Sequence, residues 1–163
     1  MSLNPFEFRK AMGSFATGVT IITLDLDGKV HGMTANAFAS VSLDPPLVLV
    51  CVDQSARTHA HLHVRKRFGI NVLAEDQRAI SEYYALLLEE QVNEPVARFD
   101  RTVHGTPVLY GALTYLECRR QSAQDAGDHT IFIAEVEDVV VRPGKPLLFF
   151  RSKYHQIGEE VLE

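Results

Sequence analysis

The chain has 163 residues, 46% of them apolar, and a formal net charge of −5. That size supports one domain over residues 1–163 with a substantial core. The acidic balance argues against a nucleic-acid or anionic-membrane surface, since both need a basic face. Two cysteines, Cys51 and Cys118, are too few for a disulfide framework or a structural zinc site, and fit a reducing cytoplasm. No apolar run reaches the length of a membrane span, and the N-terminus lacks the charged-then-apolar order of a signal peptide.

Residues Asn4 to Phe15 read as a short amphipathic helix, with Phe6, Phe8, Met12 and Phe15 apolar. Val19 to Leu24 has the β-branched character of a strand, and Asp27-Gly28 turns it back through Lys29 to Ala35. Pro45-Pro46 is expected to stop the ladder before the buried strand Leu47 to Val52. Ser55 to Arg67 reads as a helix with Ser55 as N-cap, its end at Arg65-Lys66-Arg67 a solvated cationic terminus. Phe68 to Leu73 is the next strand. Asp76 to Glu90 is the clearest helix, with Ile80, Tyr83, Tyr84, Leu87 and Leu88 on one face. Val92 to Val108, holding Pro95, Gly105 and Pro107, reads as a long loop over a site edge. Leu109 to Ser122 and Thr130 to Arg142 are long strands around Ala126-Gly127, and Leu147 to Phe150 is a last short one.

About six or seven strands, joined mostly by hairpins, exclude βαβ alternation. No G-x-G-x-x-G follows the first strand and no Walker loop appears, so a nucleotide is not held in the Rossmann or P-loop manner. The fold class is mainly β with inserted helices (α+β), and a barrel fits best.

Gly32 to Val52 carries the strongest signal for chemistry. Small side chains between two apolar strands let backbone groups approach a flat ligand. Thr34, Asn36, Ser40 and Ser42 add short donors and acceptors. Asp53, Ser55, Ala56, Arg57 and Thr58 can hold a phosphate through hydroxyls, helix N–H groups and a guanidinium. The competing reading there is an ordinary N-cap beside one exposed arginine. His59, His61 and His63 invite a metal, but on a helix only His59 and His63 share a face, so no metal is assigned.

Gly32 to Val52, Gly127 to Val136 and Pro146 to His155 together, in this order, resemble the short-chain flavin reductase family. The resemblance implies an FMN-binding split β-barrel, antiparallel and Greek-key-like. It implies an NAD(P)H:flavin oxidoreductase, passing hydride from NADH or NADPH to the flavin N5. The flavin is FMN, with FAD as the second candidate. On this resemblance Met33, Thr34, Ala35 and Asn36 lie along the isoalloxazine ring, with Ser40 and Tyr154 near it. Cys51, Val52 and Asp53 lead into the phosphate stretch Ser55, Ala56, Arg57 and Thr58. His129 faces flavin and nicotinamide and is the one residue placed in catalysis; a turn histidine is its other reading, and a core aromatic is that of Tyr154. Family members often carry serine where Ala37 or Ala39 stands, and glycine where Ser152 stands.

The resemblance further implies a homodimer, with strand surface and the aromatics Phe149 and Phe150 exposed unless paired. Reduced flavin would pass to a partner monooxygenase, or electrons to another acceptor such as a corrinoid metal centre. The rival class is a non-enzymatic flavin carrier or sensor, whose Val92–Val108 loop would cover the ring beside His129.

Overall fold

The computed structural model describes residues 3–92 and 97–161. Helix α1 (Pro5–Met12) starts where the Asn4 side chain accepts the Phe6 N–H at 2.9 Å, with proline at its first position. It buries none of its residues. After β1 (Thr17–Gly18), strands β2 (Thr20–Leu26) and β3 (Lys29–Ala35) form the expected hairpin. Asp27 and Gly28 both take positive φ there, the conformation a two-residue turn of this hand requires.

Contrary to expectation, Pro45-Pro46 does not stop the ladder. Residues Phe38–Leu43 form an edge strand, β4, and Pro46 opens β5 (Pro46–Asp53) opposite Leu43. Proline is tolerated there because the first residue of a strand need not donate. Helix α2 (Arg57–Val64) follows, then β6 (Arg67–Val72). Helix α3 (Arg78–Ala85) is half the length expected: it buries Ile80, Ser81 and Tyr84, then leaves α geometry at Leu86. A 3₁₀ turn, Leu88–Glu90, takes up part of the remainder, with Leu87 exposed. The side chain of Leu88 lies outside the described residues.

The segment expected as a loop from Val92 to Val108 holds a hairpin, β7 (Phe99–Arg101) and β8 (Pro107–Leu109); residues 93–96 lie outside the described residues. Two 13-residue strands, β9 (Thr114–Ala126) and β10 (His129–Val141), form the central hairpin. Strands β11 (Leu147–Phe150) and β12 (Lys153–Gln156) end the fold, the latter unforeseen.

Seven strands form one antiparallel sheet in the order β3-β2-β6-β9-β10-β5-β4. Its edges, β3 and β4, are consecutive in the chain and do not pair. Met33 and Ala35 from one edge and Phe38 from the other nevertheless pack on the same cluster of Ile22, Leu24, Val50, Phe68, Ile70 and Phe132. The sheet therefore curls around a single core and stays open along β3, as a split barrel does. Leu62 of α2 plugs the cluster with no exposed surface, worth about 1.5–3 kcal/mol of burial. A second cluster, under α3 and β11, joins Val19, Ile21, Ile80, Tyr84, Leu109 and Leu147.

Polar groups pin the β7–β8 hairpin. The Glu117 carboxylate, 2% exposed, accepts from Thr102 and Thr106 hydroxyls at 2.7 Å each and contacts His104 Nδ1 at 3.1 Å. Burial pushes its pKa up, but these hydrogen bonds outweigh burial and hold the carboxyl below its ordinary value. Arg101 meets the Asp25 carboxylate and the Gly28 carbonyl at the β2–β3 turn. This hairpin is thus tied to the β2–β3 turn and β9, away from β4 and the start of β10.

Candidate functional site

Among the described residues β3 pairs only with β2, so its other edge keeps backbone N–H and C=O groups outside the ladder. A cleft of about 290 Å³ runs along that edge, lined by His31, Gly32, Met33 and Thr34 on one side and Ala56, Arg57 and Thr58 on the other. Tyr84, Ala85, Leu86, Leu87 and Gln91 complete it. Gly32 is required here: a Cβ would stand 2.7 Å from the Tyr84 ring, so any side chain would push α3 off β3.

The cleft continues past Thr34 to Ala35 and Asn36, where Ser81, Phe149 and Tyr154 close its side. Hydrogen bonds hold this stretch. The Thr34 hydroxyl donates to the Ser81 carbonyl at 2.6 Å, and the Ser81 and Tyr154 hydroxyls bond at 2.8 Å. The Arg78 guanidinium lies over the Tyr154 ring at 5.4 Å. Tyr154 is thereby both a packed aromatic and a wall of the cleft, so its two readings merge.

At the other end, the N-terminus of α2 faces the cleft. Its cap residue is Ala56, without a side-chain bond; Ser55 is not the N-cap. The Asp53 carboxylate takes Ser55 for itself, accepting its N–H at 2.7 Å and its hydroxyl at 2.6 Å. These two bonds hold the Asp53 carboxyl below its ordinary range. Among the described residues Arg57 has no carboxylate partner, whereas Arg65, Arg67, Arg78, Arg101 and Arg119 each have one. A free guanidinium beside a helix N-terminus is an anion site in waiting.

Beneath the cleft, His31 Nε2 and the buried Thr58 hydroxyl are 2.7 Å apart. Burial, with the His61 and Arg57 charges behind it, pulls the His31 pKa down to about 4, so the imidazole is neutral near pH 7. His59 and His63 do share a face of α2, with ring nitrogens 3.3 Å apart, and His59 bonds the Thr130 hydroxyl at 2.8 Å. Among the described residues no three His, Cys, Asp or Glu side chains converge on a metal position.

The structure divides the expected site residues. Met33, Thr34, Ala56, Arg57 and Thr58 line the first cleft, and Thr34, Ala35, Asn36 and Tyr154 the second, the two adjoining at Thr34 and Ala85. Met33 and Ala35 also pack toward the core, which leaves chiefly their backbone to a ligand. Cys51, Asp53 and His129 stand together on the outer face of the sheet, His129 opposite Asp53 in register. The His129 ring contacts the Asp128 carboxylate through Nδ1 at 2.7 Å, and its carbonyl accepts from Gln54. Asn36-Ala37 joins the two sets, since the Ala37 carbonyl accepts the Cys51 N–H at 3.0 Å. Burial raises the Cys51 thiol pKa, which suits a packed side chain rather than a nucleophile.

The Val52 side chain is 1% exposed inside the core, which leaves only its backbone to a ligand. Ser40 lies on the outer edge strand β4, opposite Val48, and does not line the groove. Residues missed from sequence are His31, Tyr84, Leu86, Leu87 and Gln91. They carry no motif; only the register of β3 against α2 and α3 makes them neighbours.

Comparisons with known proteins bear on the family. An FMN reductase (NADH), SmoA, of Agrobacterium fabrum is 41% identical over 163 residues, covering 96% of this chain and 88% of that protein. The reductase component of a 4-nitrophenol 4-monooxygenase/4-nitrocatechol 2-monooxygenase of Rhodococcus opacus is 40% identical, covering 93% of this chain and 80% of that protein. The solved structure of flavin reductase PheA2 in its native state superposes with a TM-score of 0.89 at 44% identity, covering 96% of this chain and all of that one. The family model of the flavin reductase like domain matches residues 12–158, and the chain belongs to that family.

Proposed function

We propose that this one-domain protein is an NAD(P)H:flavin oxidoreductase that binds FMN, or FAD, in the groove along β3 and accepts hydride from NADH or NADPH. The observation that carries the reading is the open edge of β3 ending at a guanidinium without a carboxylate partner. A flavin's pyrimidine side needs donors and acceptors together, and a free strand edge supplies both at fixed spacing. Backbone groups of Met33 to Asn36 would hold that edge. Arg57 and the free N–H groups of α2 would hold the phosphate.

The flavin supplies hydride acceptance at N5; the chain supplies position. Tyr84 and Leu86 wall one side of the groove, and the Ser81–Tyr154 pair fixes its far end. His129, beside Asp53 on the outer face of the sheet, is assigned to orienting the nicotinamide, a task of near-attack geometry rather than acid–base chemistry. The free thiols Cys51 and Cys118 suit a reducing cytoplasm, and among the described residues no helix is long and apolar enough to cross a membrane. The similarity to a monooxygenase reductase component supports a flavin-dependent monooxygenase as the acceptor of the reduced flavin.

A carrier would need the ring covered. The described part of the 92–108 segment is held at the β2–β3 turn and β9, and meets the groove wall through Phe99 against Tyr84. Anaerobic mixing with FMN or FAD and then with NADH or NADPH tests the reading. Bleaching of the flavin absorbance within seconds is expected; stable binding of flavin without bleaching by either nucleotide would establish the carrier.

A further inference from the structure

Helix α2 carries histidines at positions 59, 61 and 63, and two of them meet outside the groove. His59 and His63, one turn apart, bring their Nε2 atoms to 3.3 Å. Both rings are braced. Each meets the fully buried Phe132 ring of β10 edge-on, at centroid separations of 5.7 and 5.1 Å. The Arg120 guanidinium donates to the His63 carbonyl at 3.1 Å and secures that end of the helix. His59 is half-buried and His63 exposed, so the pair is open to solvent.

The hydrogen bonds around the pair fix its protons. The Thr130 hydroxyl donates to the Asp125 carboxylate at 2.7 Å, so its oxygen accepts from His59 Nε2 at 2.8 Å. His59 is therefore the Nε2–H tautomer, and the same N–H is the one that faces His63 Nε2. A single proton serves two acceptors. Two imidazole nitrogens on one zinc ion, each about 2.0–2.1 Å from it in tetrahedral geometry, stand about 3.3 Å apart. The same i, i+4 spacing puts both histidines of an H-E-x-x-H helix on one ion. His59 and His63 already hold that separation.

We propose that His59 and His63 bind one divalent transition-metal ion of the zinc, nickel or copper class. Imidazole nitrogen suits these ions, whereas magnesium and calcium take oxygen. The ion takes the place of the shared proton. His59 stays neutral as its proton moves through solvent from Nε2 to Nδ1, and both Nε2 lone pairs go to the metal. Bracing against Phe132 reduces the rotamer freedom lost on binding. Among the described residues no third His, Cys, Asp or Glu converges on the pair, so water completes the coordination and the ion is exchangeable. It fastens adjacent turns of the helix whose first turn supplies Arg57 and Thr58 to the groove. The site needs neither flavin nor nucleotide and stands apart from the reductase reading.

Calorimetric titration of the untagged full chain with zinc chloride, without flavin or nucleotide, tests it. One ion per chain is expected, and His59→Gln and His63→Gln should each weaken zinc about tenfold or more. His61→Gln, on another face of α2, should stay within about twofold of wild type, and magnesium chloride should give no binding. Long-range proton–nitrogen NMR of the wild-type imidazoles adds a readout independent of any variant's folding. His59 should change from the Nε2–H to the Nδ1–H tautomer as zinc saturates the site. Unchanged zinc affinity in both glutamine variants, an equal loss in His61→Gln, or a His59 that keeps its Nε2 proton at saturation overturns the proposal.

Discussion

Arg57 and Asp53 stand four residues apart and oppose each other in sign, Arg57 lining the groove and Asp53 on the outer face of the sheet just before it. The carboxylate is already committed to Ser55, while the guanidinium has no carboxylate partner among the described residues. An incoming phosphate therefore meets one available cation, with the hydroxyl expected to help it tied up. Arg57→Gln should weaken FMN by about 1.5–3 kcal/mol, the range for a hydrogen bond to a charged group. Fluorescence titration measures this, and wild-type affinity in the variant would move the phosphate elsewhere. His129→Ala should behave differently, raising the KM for NADH or slowing hydride transfer while FMN affinity holds. Loss of FMN affinity alone would make His129 a cofactor contact. Residue roles of this kind were only partly legible in the sequence. The stretch Met33–Asn36 announced itself by small and hydroxylated side chains, whereas Ser55 looked like a cap although Asp53, two residues before it, competes for it as an Asx turn does.

The groove exists because three elements, β3, α2 and α3, are latched together. His31 on β3 bonds Thr58 on α2, and Thr34 on β3 bonds the Ser81 carbonyl of α3. The His31 latch has a pH dependence whose sign follows from its pKa. The unfolded histidine binds a proton near its ordinary value of 6.5, the folded one only near 4. Between those values the unfolded chain holds more protons, so stability is full above the upper value and declines as pH falls toward the lower. Denaturant unfolding at pH 7 and at pH 5 should show a smaller loss for His31→Gln than for wild type; an equal loss would place the titration elsewhere. Elements with strong local signals were readable, such as the Asp27-Gly28 hairpin and the two long strands β9 and β10. Strands β4, β7, β8 and β12 were not. They are short, lie at sheet edges or in small sheets, and owe their extended form to partners rather than to their own apolar pattern. Helix α3 stopped early for a related reason: its periodicity ran on through Leu87, but only Ile80, Ser81 and Tyr84 have a surface to bury against.

At the scale of the molecule, the outer face of the curled sheet is where pairing of two copies is argued. Phe149 and Phe150, expected to be exposed, are half-buried, packed with Tyr154 and His155. The apolar surface lies instead on β5 and β10. Their inward residues are core, but Leu47, Leu49, Cys51, Ile131 and Ile133 alternate with them on the outside and are only half-covered. Val139, Val140 and Val141 extend β10 with 53%, 37% and 74% of their surface exposed. The patch around Leu47, Leu49, Ile131 and Ile133, bordered by the ion-paired Glu135 and Glu137, fits a self-complementary interface. Leu49 and Ile133 stand directly opposite each other near its middle and point away from the core. Leu49→Lys with Ile133→Lys should therefore leave the fold intact while placing two desolvated charges in the contact. Sedimentation should show a dimer for wild type at micromolar concentration and a monomer for the double variant. Because Cys51, Asp53 and His129 share that face, the monomer should also reduce flavin more slowly than wild type. A wild-type monomer would remove the dimer altogether, and a double variant that stays dimeric would move the interface off this face.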